Sequence, residues 1–82
     1  MKVDIYVTGK GNKHVARYLS CVLGVEYGDT DGMNIFVLKG ADSKRIPKKV
    51  FGSPIIKKLE IRNAEGPERG EIIWPPEGFV YA

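Results

Sequence analysis

The sequence contains no glutamine, and its 82 residues include one cysteine, one histidine and one tryptophan. A single Cys21 excludes an internal disulfide, which fits a reducing, cytoplasmic setting. One Cys with one His also excludes an ordinary zinc site. His14 and Cys21 lie seven residues apart on one predicted helix, about 10.5 Å along its axis, beyond the reach of a nucleophile–base pair. No apolar run approaches the roughly 20 residues of a membrane span. The opening MKVDIYV carries Asp4 and no small-residue cleavage site, so no signal peptide is expected. The missing glutamine, beside plentiful Ile, Val, Lys and Glu, fits a thermophile.

What is present is enough for one small core. Apolar residues make up 43% and charged residues 28% of the chain, which predicts a single domain over 1–82 and argues against a membrane protein. The net charge of +3 is unevenly placed. Residues 1–42 hold five basic and five acidic side chains, and residues 59–82 hold two basic and five acidic. Residues 43–58, SKRIPKKVFGSPIIKK, hold six basic side chains and no acid. Such a segment repels itself unless solvent or an anionic partner screens it, and nucleic acid is the partner it suits.

Val3, Ile5 and Val7 alternate with Asp4, Tyr6 and Thr8, the period of a half-buried strand. Gly9 and Gly11 break it, and Asn12 is placed to cap a helix from Lys13 to Leu23 with Gly24 as its stop. A 100° step puts Val15, Ala16, Tyr18, Leu19, Val22 and Leu23 within an arc of about 160°, with Lys13, Arg17 and Ser20 opposite. Val25–Tyr27 reads as a second short strand, and GDTDG (28–32) as a turn. The stretch 33–39 reads as a buried strand by its β-branched and aromatic content, with a short helix as the alternative. Gly40–Lys49 reads as a basic loop and 52–54 as a turn. Residues 55–62 favour a strand burying Leu59 and Ile61 over a helix begun at Pro54. NAEGPERG (63–70) is a turn, and EIIW (71–74) returns as a strand. The fold class is therefore α/β of the α+β kind. A small mixed sheet packs on one main amphipathic helix, with room for a second short one.

The chemistry is sparse. The loop Gly9-Lys10-Gly11-Asn12-Lys13 joins a strand to a helix, where glycines and free N–H groups often hold phosphate. Its spacing is not that of a P-loop or of GxGxxG, and a plain strand–helix connection is the preferred reading. Asp29 and Asp31 suit a turn better than a metal, and Glu65, Glu68 and Glu71 suit a solvated turn. No Ser/His/Asp set is available, so neither an enzyme nor a bound cofactor or metal is expected. Trp74, Phe79 and Tyr81 could stack on bases, cover the open side of a small sheet, or pair with another chain across an edge strand.

In its order of signals the chain resembles the N-terminal half of a Brix-domain protein, the ribosome-assembly family, and the archaeal members most in style. IYVT, GKGNK and HVARYLSCVLG correspond to the family's strand, basic loop and helix ending in Leu-Gly. VEYGDTDGMNIFVLKGA matches its short strand, Gly-Met step and amphipathic segment. Gly52-Ser53-Pro54, KKLEIR, Gly66-Pro67-Glu68-Arg69-Gly70 and EIIW match its later turns and strands. Gly9 and Lys10 stand where the family has Ser and Arg, and the family carries two such halves. The resemblance implies an anticodon-binding-domain-like fold, in which 33–41 would be helical. It implies non-catalytic binding of ribosomal RNA during subunit assembly, with Lys10, Lys13, Arg17, Lys44, Arg45, Lys48 and Lys49 on the phosphates. It also implies a partner among ribosome-assembly proteins, or a homodimer that rebuilds the two-half arrangement. Two other readings stand beside it: a nucleotide- or phosphate-binding module using the Gly9–Lys13 loop, and a protein-interaction module using the C-terminal aromatic edge.

Overall fold

Val3, Ile5 and Val7 point to one side of the first strand, β1 (Lys2–Thr8), and all three are buried. Asp4, Tyr6 and Thr8 point to the other side and are only half-buried, as the two-residue period dictates. The computed structural model describes residues 1–8, 11–29, 35–52 and 58–79. After β1 come α1 (Asn12–Leu23), β2 (Tyr27–Asp29), β3 (Phe36–Asp42), two 3₁₀ turns (Ser43–Arg45 and Lys48–Gly52), β4 (Lys58–Asn63) and β5 (Ile72–Trp74). The sheet order is β2-β3-β1-β4-β5, so the first strand made is the central one.

The α+β architecture, a sheet packed on one main helix, is what forms, with all four pairings antiparallel where a mixed sheet was expected. A parallel pair needs its crossover to land beside the starting strand. Here the helical crossover from β1 ends at the far edge as β2, and β3 returns into the gap between them.

Helix α1 buries Val15, Ala16, Leu19 and Leu23 against the sheet. Tyr18 and Val22, expected on the same face, remain 39% and 38% exposed. One helix on one sheet covers only the narrow row nearest the strands, and the wider arc reaches past its margin. Asn12 is the first helical residue, not the cap; Gly11 holds the cap position without a side-chain bond. Gly24 ends the helix in the left-handed conformation, its N–H donating to the Ser20 carbonyl at 2.9 Å. Ile5, Leu19, Leu38 and Leu59 are the largest fully buried side chains, together with Val3 and Val7. Each of the larger four contributes about 1.5–3 kcal/mol by leaving water.

The stretch Phe36–Asp42 is a strand, as its β-branched and aromatic content predicts and against the helix that the family resemblance implies. It runs past Gly40, where a loop was expected, by means of a bulge. Val3 pairs with Ala41 and Ile5 with Leu38, so β3 holds one residue more than β1 over that step. Gly40 accommodates it at φ +72°, and its N–H donates to the Asp4 Oδ1 at 3.0 Å. Residues 43–52 then form the two 3₁₀ turns, putting Val50 into the core on the helix side of the sheet with Ile46 and Phe51 packed against it. The second strand is Tyr27–Asp29, two residues later than expected, with Val25 packing against the core as a connector. Leu59 and Ile61 are buried on β4 as expected. Sequence assignments at 9–10, 30–34, 53–57 and 80–82 fall outside the described residues.

Candidate nucleic-acid interface

Two layers of cations result from this chain path. Lys13 and Arg17 are four apart on the exposed side of α1, neighbours by helical geometry. The α1 first turn contains no acid, so its positive end is unopposed by a side chain. Lys44 and Arg45 are exposed in the first 3₁₀ turn, and Lys48 and Lys49 in the second. The two groups meet where the Lys49 ammonium lies over the Tyr18 ring of α1, 4.6 Å from its centre. That contact accounts for an aromatic ring left at the helix margin. Lys44 and Arg45 belong to the Met1 end of β1, where the Ser43 N–H donates to the Met1 carbonyl at 3.0 Å. Lys13 belongs to the opposite end, shortly after Thr8. The set is thus strung along the helix side of the sheet. Lys10 lies outside the described residues.

The acids are used elsewhere. Among the described residues, ion pairs are confined to Glu60, which meets the Lys58 ammonium at 3.8 Å and the Arg62 guanidinium. Asp42 caps the first 3₁₀ turn by accepting from the Lys44 N–H at 3.0 Å. That hydrogen bond, helped by the charges of the N-terminus, Lys44 and Lys2, holds the Asp42 carboxyl below its ordinary value against the opposing effect of desolvation. Lys13, Arg17, Lys44, Arg45, Lys48 and Lys49 therefore have no ion-pair partner among the described residues.

The other side of the sheet was missed by sequence reasoning as a site. Cross-strand pairing aligns Asp4 with Arg62, Tyr6 with Glu60 and Thr8 with Lys58, and no described helix or strand covers these rows. The Arg62 guanidinium lies 5.6 Å from the Tyr6 ring centre. An open groove of about 280 Å³ is lined by Tyr6, Thr8, Ile35, Lys58, Glu60 and Arg62. A second, of about 460 Å³, sits between Lys2, Asp4, Lys39, Glu65 and Arg69. The signal was available in the β1 alternation itself, which puts an aromatic among polar residues on the face away from the core.

The remaining candidates separate. Trp74 packs on Phe51 and Phe79, with ring centres 4.7 and 4.9 Å apart, and closes the β5 margin of the helix-side core. It does not cover the open side of the sheet, because the Ile61–Trp74 pairing places it on the core face. Its indole Nε1 is buried with no hydrogen-bond partner. Tyr81 lies outside the described residues. His14 and Cys21 are both exposed on α1. Among the described residues no group of His, Cys, Asp and Glu is arranged to hold a metal ion, and no helix is long and apolar enough to cross a membrane. Comparison with protein-family models, curated proteins and solved structures finds no match to this chain.

Proposed function

We propose that this chain is a non-catalytic RNA-binding module that acts on ribosomal RNA during subunit assembly, in the cytoplasm. The observation that carries the RNA reading is the set of six cations on the helix side, Lys13, Arg17, Lys44, Arg45, Lys48 and Lys49, none of them ion-paired among the described residues. A basic layer free of ion pairs among the described residues is the footprint of a phosphate-contacting surface. Phosphate contacts fix position and carry little sequence information, so the helix-side layer supplies affinity. The ribosomal setting comes from the Brix-domain resemblance of the strand, loop and helix signals.

The test is fluorescence anisotropy with a labelled ribosomal RNA hairpin at low and moderate salt. A variant with Lys44, Arg45, Lys48 and Lys49 changed to Ser serves as the comparison. The proposal expects salt-sensitive binding that the variant loses. Absence of binding at low salt rejects it.

A further inference from the structure

The open side of the sheet carries a second arrangement that the helix-side layer does not explain. We propose that this face binds single-stranded RNA, with Tyr6 as the base-stacking platform and Lys2, Lys39 and Arg69 as the phosphate contacts beside it. The inference rests on the RNA reading above and adds the strandedness of the target and the residues that read it.

Tyr6 is half-buried at the centre of β1, the middle strand, with Glu60 across from it on β4 and Val37 across from it on β3. The Arg62 guanidinium sits over its ring, and Lys58 and Thr8 complete the groove wall. A tyrosine ring with an arginine plane beside it is a sequence-tolerant seat for an unstacked base. A duplex cannot use it, because its bases are stacked inward.

Two residues along β1 from Tyr6, about 7 Å away, Asp4 opens the second groove. Here the bulge at Gly40 matters. It turns Gly40 N–H onto the Asp4 carboxylate, and Glu65 likewise accepts from the Lys2 N–H at 3.1 Å. Both acids are therefore held by backbone donors, while the Lys2, Lys39 and Arg69 side chains have no ion-pair partner among the described residues. Arg69 is positioned by a closed turn, in which Gly70 N–H donates to Asn63 at 2.8 Å and Asn63 N–H donates to Glu71 at 2.8 Å. Asp42, across from Lys2, is likewise held by the Lys44 N–H, and Glu60 is paired with Lys58 and Arg62. Lys2, Lys39, Lys58, Arg62 and Arg69 thus outnumber the face's acids, Asp4, Asp42, Glu60 and Glu65, by one, a balance that favours an anion. On the β2 side, Glu26 and Asp29 line the next groove with Lys39 as its one cation, so the strand is expected to run over β1 and β4.

The experiment compares binding of a labelled, unstructured oligouridylate and of a blunt-ended RNA duplex without a loop by anisotropy. The proteins are the full chain, Tyr6→Ala, Tyr6→Phe and the triple change of Lys2, Lys39 and Arg69 to Ser. Tyr6→Ala is expected to weaken oligouridylate binding about five- to hundred-fold while leaving duplex binding within about two-fold, and Tyr6→Phe restores it. The triple variant is expected to make the log–log salt slope for oligouridylate shallower by about 2. If Tyr6→Ala does not fold by circular dichroism, Tyr6→Leu replaces it, keeping apolar bulk without a π face. RNA binding that none of these variants changes overturns this inference and leaves the helix-side reading standing. A chain that binds neither RNA overturns both.

Discussion

Changing Gly40 to Ala isolates the bulge that shapes the open face. At φ +72° an L-residue pays a conformational penalty, and an added Cβ there meets nothing within 4 Å. The cost is therefore backbone strain alone, about 1–2 kcal/mol. With a urea m-value of about 2 kcal/mol/M for a small domain, the unfolding midpoint should fall by about 0.5–1 M. Gly28→Ala is the matched control. It also has open space around the new methyl but no positive φ, so its midpoint should hold or rise slightly. Urea denaturation followed by Trp74 fluorescence reads both. Equal midpoints for the two variants would show that β3 does not carry the left-handed bulge, and the placement of Lys39 beside Asp4 would fall with it.

Leu19→Ala, which empties a fully buried position on α1, should cost about 2–5 kcal/mol in the same denaturation experiment, while Val22→Ala should stay within about 0.5 kcal/mol. Cys21, exposed on the helix, should react stoichiometrically with a thiol reagent in the native state; protection until unfolding would mean that α1 packs by another face. The Asp42 side chain should titrate by NMR with a midpoint below its ordinary 3.8, because the Lys44 N–H bonds the charged form. The sign follows from linkage. A depressed carboxyl favours the fold at higher pH and loses that contribution as pH falls through the native midpoint, so Asp42→Asn should flatten the acid limb of the stability curve.

How legible this fold was depended on whether a segment's pattern was set locally. The alternation of Val3, Ile5 and Val7 and the row Val15, Leu19, Leu23 declared β1 and α1 outright, because burial on one side repeats at the element's own period. Leu59 and Ile61 did the same for β4. The end of β3 was obscured by Gly40, which reads as a loop start when it is a bulge within a continuing strand. The basic segment reads as a loop because its charges dominate, although Ile46, Val50 and Phe51 fasten it to the core. Its cations were visible in the sequence, and their lack of ion pairs among the described residues was not, since that depends on where the chain path puts them and on Asp42 accepting from the Lys44 N–H. The open face needed the strand register, which brings Arg62 and Lys58 from far along the chain beside Tyr6 and Thr8.

The most direct test of the central claim is the salt dependence of RNA binding. Six phosphate contacts from Lys13, Arg17, Lys44, Arg45, Lys48 and Lys49 predict a log–log slope of about −4 to −5 for the ribosomal RNA hairpin. Replacing Lys44, Arg45, Lys48 and Lys49 by Ser should make that slope shallower by about 3. A slope near zero, or one that the four replacements leave unchanged, would contradict the assignment of this layer to RNA.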